Sequence, residues 1–313
     1  MQAPFSRIAV VGSGALGIYY GARLAAGGAE VRFLMRGDLA AVRVRGTVIA
    51  RVGAEVIEAR PAGFFGASAE MGPADLVLVT LKATANAALG ELLAPLLGKD
   101  TAVLTLQNGL GPDEALAELV GPERVLGGLA FIAVNRIAPG EVFCHHPGYV
   151  TLGEFAGPAT ERTRAVAARF EASGMRIRLT DCLLDARWHK LVWNIPFNGL
   201  AIAAGGLTTD RLCADPILRA NVMELMREVQ QGAAAFGVTI TDDFLQQQYD
   251  VTPPMGAYAP SSLVDFRAGR EVEVEMIWGE PLRRARAAGV ATPRLAELYE
   301  ALKKATVPAS SSG

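Results

Sequence analysis

With 313 residues the chain is longer than one hydrophobic core ordinarily organises, so two domains are expected. A hydrophobic content of 51% and an aromatic content of 7% describe a well-cored globular protein rich in small residues. A net charge of −2 with no basic run argues against a nucleic-acid partner. The cysteines, Cys144, Cys182 and Cys213, are scattered, with no C-x-x-C and no metal spacing, which fits a reduced, cytoplasmic protein. The first apolar run is reached by Arg7, so no signal peptide is expected, and no segment is apolar for long enough to cross a bilayer.

In chain order, Ile8-Ala9-Val10-Val11 reads as a short buried parallel strand. The turn Gly12-Ser13-Gly14-Ala15-Leu16-Gly17 follows, with its glycines in G-x-G-x-x-G spacing, then a helical pattern to Ala26 and a second apolar strand, Val31–Met35. In that context Gly12 makes the turn, Gly14 lets backbone approach a pyrophosphate, and Gly17 lets helix and strand pack closely. The helix N-terminus offers N–H groups and a positive dipole end to the phosphates. An NAD site usually carries an acid at the end of the second strand, to hold the ribose hydroxyls. Here Glu30 lies at the wrong end, Asp38 comes later, and Arg36 stands where a guanidinium can grip a 2′-phosphate. The expected cofactor is therefore NADP(H).

A short helix is expected in GDLAAVRVRG, then a hairpin of Val48–Val52 and Glu55–Ala59, then a strand over Leu76–Leu81 ending at Lys82. A helix over 86–97 and a strand over 102–106 lead to Gln107-Asn108-Gly109. A helix over 112–120 and a strand over 125–134 follow, then a hairpin of the two short strands EVFCHH and YVTLGEF. A helix over 161–173 and a strand over 175–180 close this half. The alternation predicts a doubly wound parallel sheet with ligands at the C-terminal strand ends, where Lys82 and Asn108 both lie. His145-His146 has no third ligand at useful spacing and reads as sheet or turn, with no metal.

From Asp181 strand runs give way to helical periods over 183–204, 216–236, 242–249, 274–289 and 293–305, with 252–269 read as an ordered loop. The expected architecture is an α/β chain: an N-terminal Rossmann-type domain over 1–180, an all-helical substrate domain over 181–307 and a disordered tail over 308–313. On the first long helix Lys190, Asn194 and Asn198 repeat at steps of four, a polar line in apolar company, with Pro196 between the two amides. Such a stripe is either an interhelical hydrogen-bonded network or a substrate-facing surface. Glu273 enters a helix with Glu271 and Glu275 on alternate positions, a pattern equally readable as a solvated helix start.

The chain resembles the ketopantoate reductase (2-dehydropantoate 2-reductase) family along nearly its whole length. The resemblance rests on GSGALG with Arg36, VTLKAT around Lys82, QNG around Asn108, WHKLVWNIPFN around Lys190, and the block SSLVDFRAGREVEVEMIWGEPLRRARAAGVATP. It implies a Rossmann domain followed by a helical domain, NADPH as cofactor, and reduction of the 2-oxo acid 2-dehydropantoate to pantoate on the route to pantothenate and coenzyme A. It also implies that Lys190 donates the proton to the C2 oxygen. Glu273 would hold the substrate hydroxyl and the lysine network, and Asn194 and Asn198 would contact substrate. Ser261, or Ser262 if the loop slips, would bind the substrate carboxylate. Asn108, Lys82 and Glu273 would lie at the nicotinamide and substrate end of the cofactor.

Three departures bear on the substrate. Gly199 stands where the family commonly has proline, Tyr258 replaces an asparagine, and Ala130-Phe131 occupies a stretch that often carries hydroxyls. A reductase of another 2-oxo or 3-oxo acid, or a non-catalytic NADP sensor, would share the fold; the intact Lys190–Asn194–Asn198–Glu273 set favours the enzyme. The apolar helical domain leaves a homodimer open.

Overall fold

The computed structural model describes residues 4–306; the tail expected over 308–313 lies outside them. The described residues form two compact units: one runs to Gln107 and resumes over Pro112–Leu183, the other joins Asn108–Gly111 to the described residues from Leu184 on.

The first unit is a mixed sheet flanked by helices. Its strands are β1 (Arg7–Val11), β2 (Glu30–Leu34), β3 (Val48–Val52), β4 (Glu55–Ala59), β5 (Gly63–Phe65), β6 (Ala74–Val79), β7 (Leu97–Thr105), β8 (Val125–Ala138), β9 (Glu141–Glu154) and β10 (Ile177–Leu179). They are ordered β4-β3-β9-β8-β7-β6-β1-β2-β5, with β10 beside β9. From β5 to β8 every pairing is parallel. The helices are α1 (Ala15–Ala26), α2 (Leu39–Arg45), α3 (Leu89–Leu93), α4 (Pro112–Val120) and α5 (Glu161–Glu171).

Continuous apolar strands make sense here because both faces are covered. Ile8, Val10, Leu76, Leu78 and Leu104 point into one core, while Ala9, Val11, Val77, Val79 and Val103 point into another on the opposite face. β1 has β2 on one side and β6 on the other, so the winding reverses at β1/β6. That reversal is the place where open α/β sheets bind ligands, beyond the carboxyl ends of the strands.

Two expectations about local structure change. The helix read over 86–97 is a 3-10 stretch, Ala83–Ala88, then the short α3, then a second 3-10 turn, and β7 already starts at Leu97. The two short strands read over 141–155 are one strand, β9, paired antiparallel to β8. Pro147-Gly148 looked like a turn, but it sits in an irregularity where pairing steps from His146↔Ala133 to Tyr149↔Phe131. A bulge leaves Pro147 without a ladder bond to make, and Gly148 (φ 51) accepts the close approach of the Phe131 carbonyl.

The second unit is helical: α6 (Leu183–Ala203), α7 (Thr209–Ala214), α8 (Pro216–Ala234), α9 (Asp242–Asp250), α10 (Ser261–Arg267), α11 (Glu280–Ala287) and α12 (Pro293–Thr306). Trp188, Leu191, Ile195, Phe197, Val222, Met226, Trp278 and Leu298 belong to its core. The stretch read as a loop over 252–269 contains α10, and α11 is preceded by a single π turn, Glu275–Gly279. Gly199 has a packing reason. A Cβ there would meet Leu298 at 2.7 Å and Trp278 Nε1 at 2.8 Å, and that indole N–H donates to the Ile195 carbonyl at 2.9 Å.

Candidate active site

In the first unit the glycine turn is locked by packing. Gly12 has φ 115, and a Cβ on it would lie 2.5 Å from the Leu81 amide nitrogen. A Cβ on Gly17 would run into the Gly12 carbonyl oxygen, so helix α1 can lie this close to the turn only with glycine there. Around Gly14 a Cβ would meet nothing within 4 Å, which leaves open space beside the backbone at the start of α1. No side chain caps that start: Gly14 is the N-cap and supplies none. Ser13, Ala15 and Leu16 complete the turn. Thr80, unremarked in the sequence, donates its hydroxyl to the Gly12 carbonyl at 2.6 Å and ties the turn to the end of β6.

The residues past β2 are sorted by their partners. Asp38 is buried, accepts the Gly140 amide at 2.9 Å and pairs with Arg136, so its carboxylate is consumed inside the protein. Glu30 pairs with Arg32, whose guanidinium also reaches the Met71 carbonyl. Arg36 is exposed, and its guanidinium has no partner among the described residues. Open backbone at Gly14, an uncapped helix start and a free guanidinium at the end of β2 fit a dinucleotide phosphate group. Lys82 begins the 3-10 stretch after β6, its carbonyl accepting the Ala85 amide at 2.9 Å. Gln107, also missed by pattern, is buried and donates to the Leu81 carbonyl at 3.0 Å and to Asn86 at 2.6 Å. It anchors the stretch leading into Asn108.

In the second unit the structure brings Lys190, Asn108 and Glu273 together. The Lys190 ammonium donates to Asn108 Oδ1 at 2.9 Å. Burial first, and then the Arg187 guanidinium, push the pKa of Lys190 down to about 7 against the opposing effect of the Glu273 carboxylate. Arg187 is itself buried and donates to the Gly109 carbonyl at 3.4 Å. It lies one turn before Lys190 on α6, a spacing that makes it visible in hindsight. A lysine held near neutrality can carry a proton and release it at physiological pH, which is what a general acid needs.

The two amides divide. Asn194 is half-buried and its side chain bonds to no other described residue, so it is available to a ligand. Asn198 is buried, and its Oδ1 accepts the Ser262 amide at 2.9 Å and the Ser261 hydroxyl at 3.4 Å. It thereby caps α10 from another helix. Ser261 is exposed and Ser262 buried. Tyr258 packs its ring 6.3 Å from that of Trp193, and Trp193 donates to Thr252 Oγ1 at 2.9 Å.

Comparison with known proteins decides the family. The profile described as "Ketopantoate reductase PanE/ApbA" matches residues 8–157, and that of its C-terminal domain matches residues 183–306. The chain belongs to the ketopantoate reductase family. It is 38% identical over 311 residues to a 2-dehydropantoate 2-reductase of a Nostoc species, covering 95% of this chain and 94% of that one. It is 30% identical to another from Mesorhizobium japonicum, covering 87% and 89%. Among solved structures, a 2-dehydropantoate 2-reductase from Geobacter metallireducens is similar with a TM-score of 0.92 and 42% identity, covering 96% of this chain and all of that one (100%). A D-mandelate dehydrogenase solved with NADH and anilino(oxo)acetate shares the fold at a TM-score of 0.86 and 22% identity, covering 96% and 97%.

As a member of the ketopantoate reductase family, the chain is an oxidoreductase that depends on NAD(P). Among the described residues no three His, Cys, Asp or Glu side chains gather as metal ligands, and no helix is long and apolar enough to cross a membrane.

Proposed function

We propose that the chain reduces 2-dehydropantoate to pantoate with NADPH, in the cytoplasm. The observation that carries the chemistry is Lys190 held against Asn108 with its pKa lowered to about 7. When bound, the cofactor supplies a hydride to the C2 carbonyl carbon. Lys190 gives its proton to the carbonyl oxygen, and its charge stabilises the alkoxide as it forms. The balance is one hydride and one proton added across C=O, leaving a 2-hydroxy acid and a neutral lysine that solvent reprotonates.

The other residues orient. Asn108 fixes the lysine, Glu273 balances its charge and accepts from a substrate hydroxyl, Asn194 offers a free amide, and Ser261 beside Asn198 offers a hydroxyl for the carboxylate. Gly12, Ser13, Gly14, Ala15, Leu16 and Gly17 hold the pyrophosphate, with Lys82, Asn108 and Glu273 at the nicotinamide end. The preference for NADPH rests on Arg36 being free while Asp38 and Glu30 are both engaged, so a 2′-phosphate finds a guanidinium and a bare ribose finds no carboxylate. We assign the dinucleotide to the Rossmann unit and the acid to the helical one.

The direct test is NADPH oxidation, followed spectrophotometrically, against 2-dehydropantoate and a panel of 2-oxo and 3-oxo acids. Turnover greatest with 2-dehydropantoate is expected. Tight NADPH binding with no turnover on any acid would overturn the reading.

A further inference from the structure

The π turn Glu275–Gly279 leaves one of its backbone carbonyls to a partner outside the helix. In it the Glu280 N–H bonds back five residues to the Glu275 carbonyl. The next π bond would run from residue 281 to Met276, but Pro281 has no N–H. The Met276 carbonyl is therefore left over from the helix, and it accepts the Leu110 amide at 2.9 Å. Gly109 makes the approach possible: its φ is 86, and a Cβ there would collide with the Met276 carbonyl group. The segment clamped in this way is the one that carries Asn108. At the entry of the same turn stands Glu273, whose carbonyl accepts the Ile277 amide at 3.2 Å. One turn thus bears on two groups that Lys190 meets from outside its own helix, Asn108 and Glu273, while the Arg187 guanidinium that also faces it comes from α6 itself. Single π turns inside helices commonly mark such places, since the extra residue re-aims backbone groups.

We propose that the π turn, with Gly109 and Pro281, is a positioning element of the reduction: it holds Asn108 by the Met276–Leu110 bond and Glu273 by its own register, and so sets both against Lys190. These residues touch neither substrate nor cofactor. They act through the lysine. The proposal rests on the reduction described above only for its consequence in turnover; the placement of the lysine can be read without turnover.

The test is competitive acetylation of the full-length protein with acetic anhydride over a pH series, with the modification of Lys190 quantified by peptide mass spectrometry. Wild type should label with a midpoint near 7. Deleting Glu275 removes the extra residue and restores α register, and Gly109→Ala pushes the Asn108 segment off Met276. Both withdraw the groups that favour the charged lysine, the Asn108 oxygen and the Glu273 carboxylate, and should lower the midpoint by about one unit, which is roughly tenfold more neutral amine at pH 5. Glu275→Ala loses the same side chain without the register change and should label as wild type. Pro281→Ala, which adds a competing N–H with little steric demand, should shift the midpoint in the same direction by less, and it carries the test if the other two do not fold. Folded variants that bind NADPH normally and label with the wild-type midpoint would overturn the proposal. If all of them label as expected but wild type reduces no 2-oxo acid, the positioning stands and the assigned reaction fails.

Discussion

The Lys190 ammonium and the Asn108 carbonyl oxygen meet at 2.9 Å across 82 positions of sequence. The contact holds the ammonium in place, while burial and then the Arg187 guanidinium turn an ordinary lysine into a group that titrates near 7. The reduction needs the protonated form, so kcat/KM with the 2-oxo acid should fall as pH rises through about 7, while oxidation of the 2-hydroxy acid should rise over the same range. Steady-state rates in both directions from pH 5.5 to 9, on the order of tenfold per unit on the falling limb, check this. A reduction rate flat across that range would remove Lys190 as the acid. Lys190→Ala should lower kcat by at least about a hundredfold, within the range general acids contribute, while leaving NADPH binding nearly unchanged.

The same shift makes a prediction about stability with its sign fixed. The folded lysine loses its proton near 7 and the unfolded one near 10.5. Between those values the unfolded chain binds a proton that the folded chain does not, so this residue makes stability rise with pH across that window. Below about 7 both states are charged, and the folded state bears the full cost of the buried ammonium. Lys190→Met removes that cost. Urea midpoints of the variant should therefore exceed those of wild type near pH 6, and the gap should narrow steadily towards pH 10. Parallel curves would mean that the lysine is not strained by its site.

Much of this was readable as pattern because its causes are local. The strand–glycine–helix start, the alternating β3–β4 hairpin and the four-residue step of Lys190, Asn194 and Asn198 are all spacings set by one element's own geometry. What escaped was set at a distance. The π turn depends on Pro281 meeting a carbonyl that a remote segment then claims, and nothing in EMIWGEP announces this. Helix α10 is too short for a period, and its cap, Asn198, lies more than sixty positions upstream. Helix α12 is capped likewise by buried Glu228, which accepts the Arg294 and Leu295 amides at 2.9 and 2.7 Å. Thr80 and Gln107 looked like strand-end residues until the carbonyls they serve were placed.

Asn198 therefore has a structural duty that can be separated from any contact with substrate. Asn198→Ala should cost about 1 kcal/mol or more of stability, the usual worth of a helix N-cap, with a buried amide left unpaired. Asn198→Asp keeps the acceptor for the Ser262 amide and should restore much of the cap at a pH where the new carboxylate is ionised. If the stability loss is confirmed and KM for the acid also rises several-fold, Asn198 serves both roles. If KM alone changes while the denaturation midpoint does not, the cap is energetically idle.

Arg36 tests the cofactor. Its guanidinium is exposed and unclaimed, whereas the neighbouring Arg32 is already bound to Glu30 and the Met71 carbonyl. A 2′-phosphate gripped by Arg36 gains charge-assisted hydrogen bonds worth about 1.5–3 kcal/mol, roughly ten- to a hundredfold in affinity. Arg36→Ala should raise KM for NADPH by that factor and change KM for NADH by less than about twofold, since the bare ribose offers no anion to lose. The glycine turn is untouched, so kcat at saturating cofactor should hold. Equal losses with both cofactors would show that Arg36 supports the turn or the adenine, and the preference for the phosphorylated dinucleotide would then need another source.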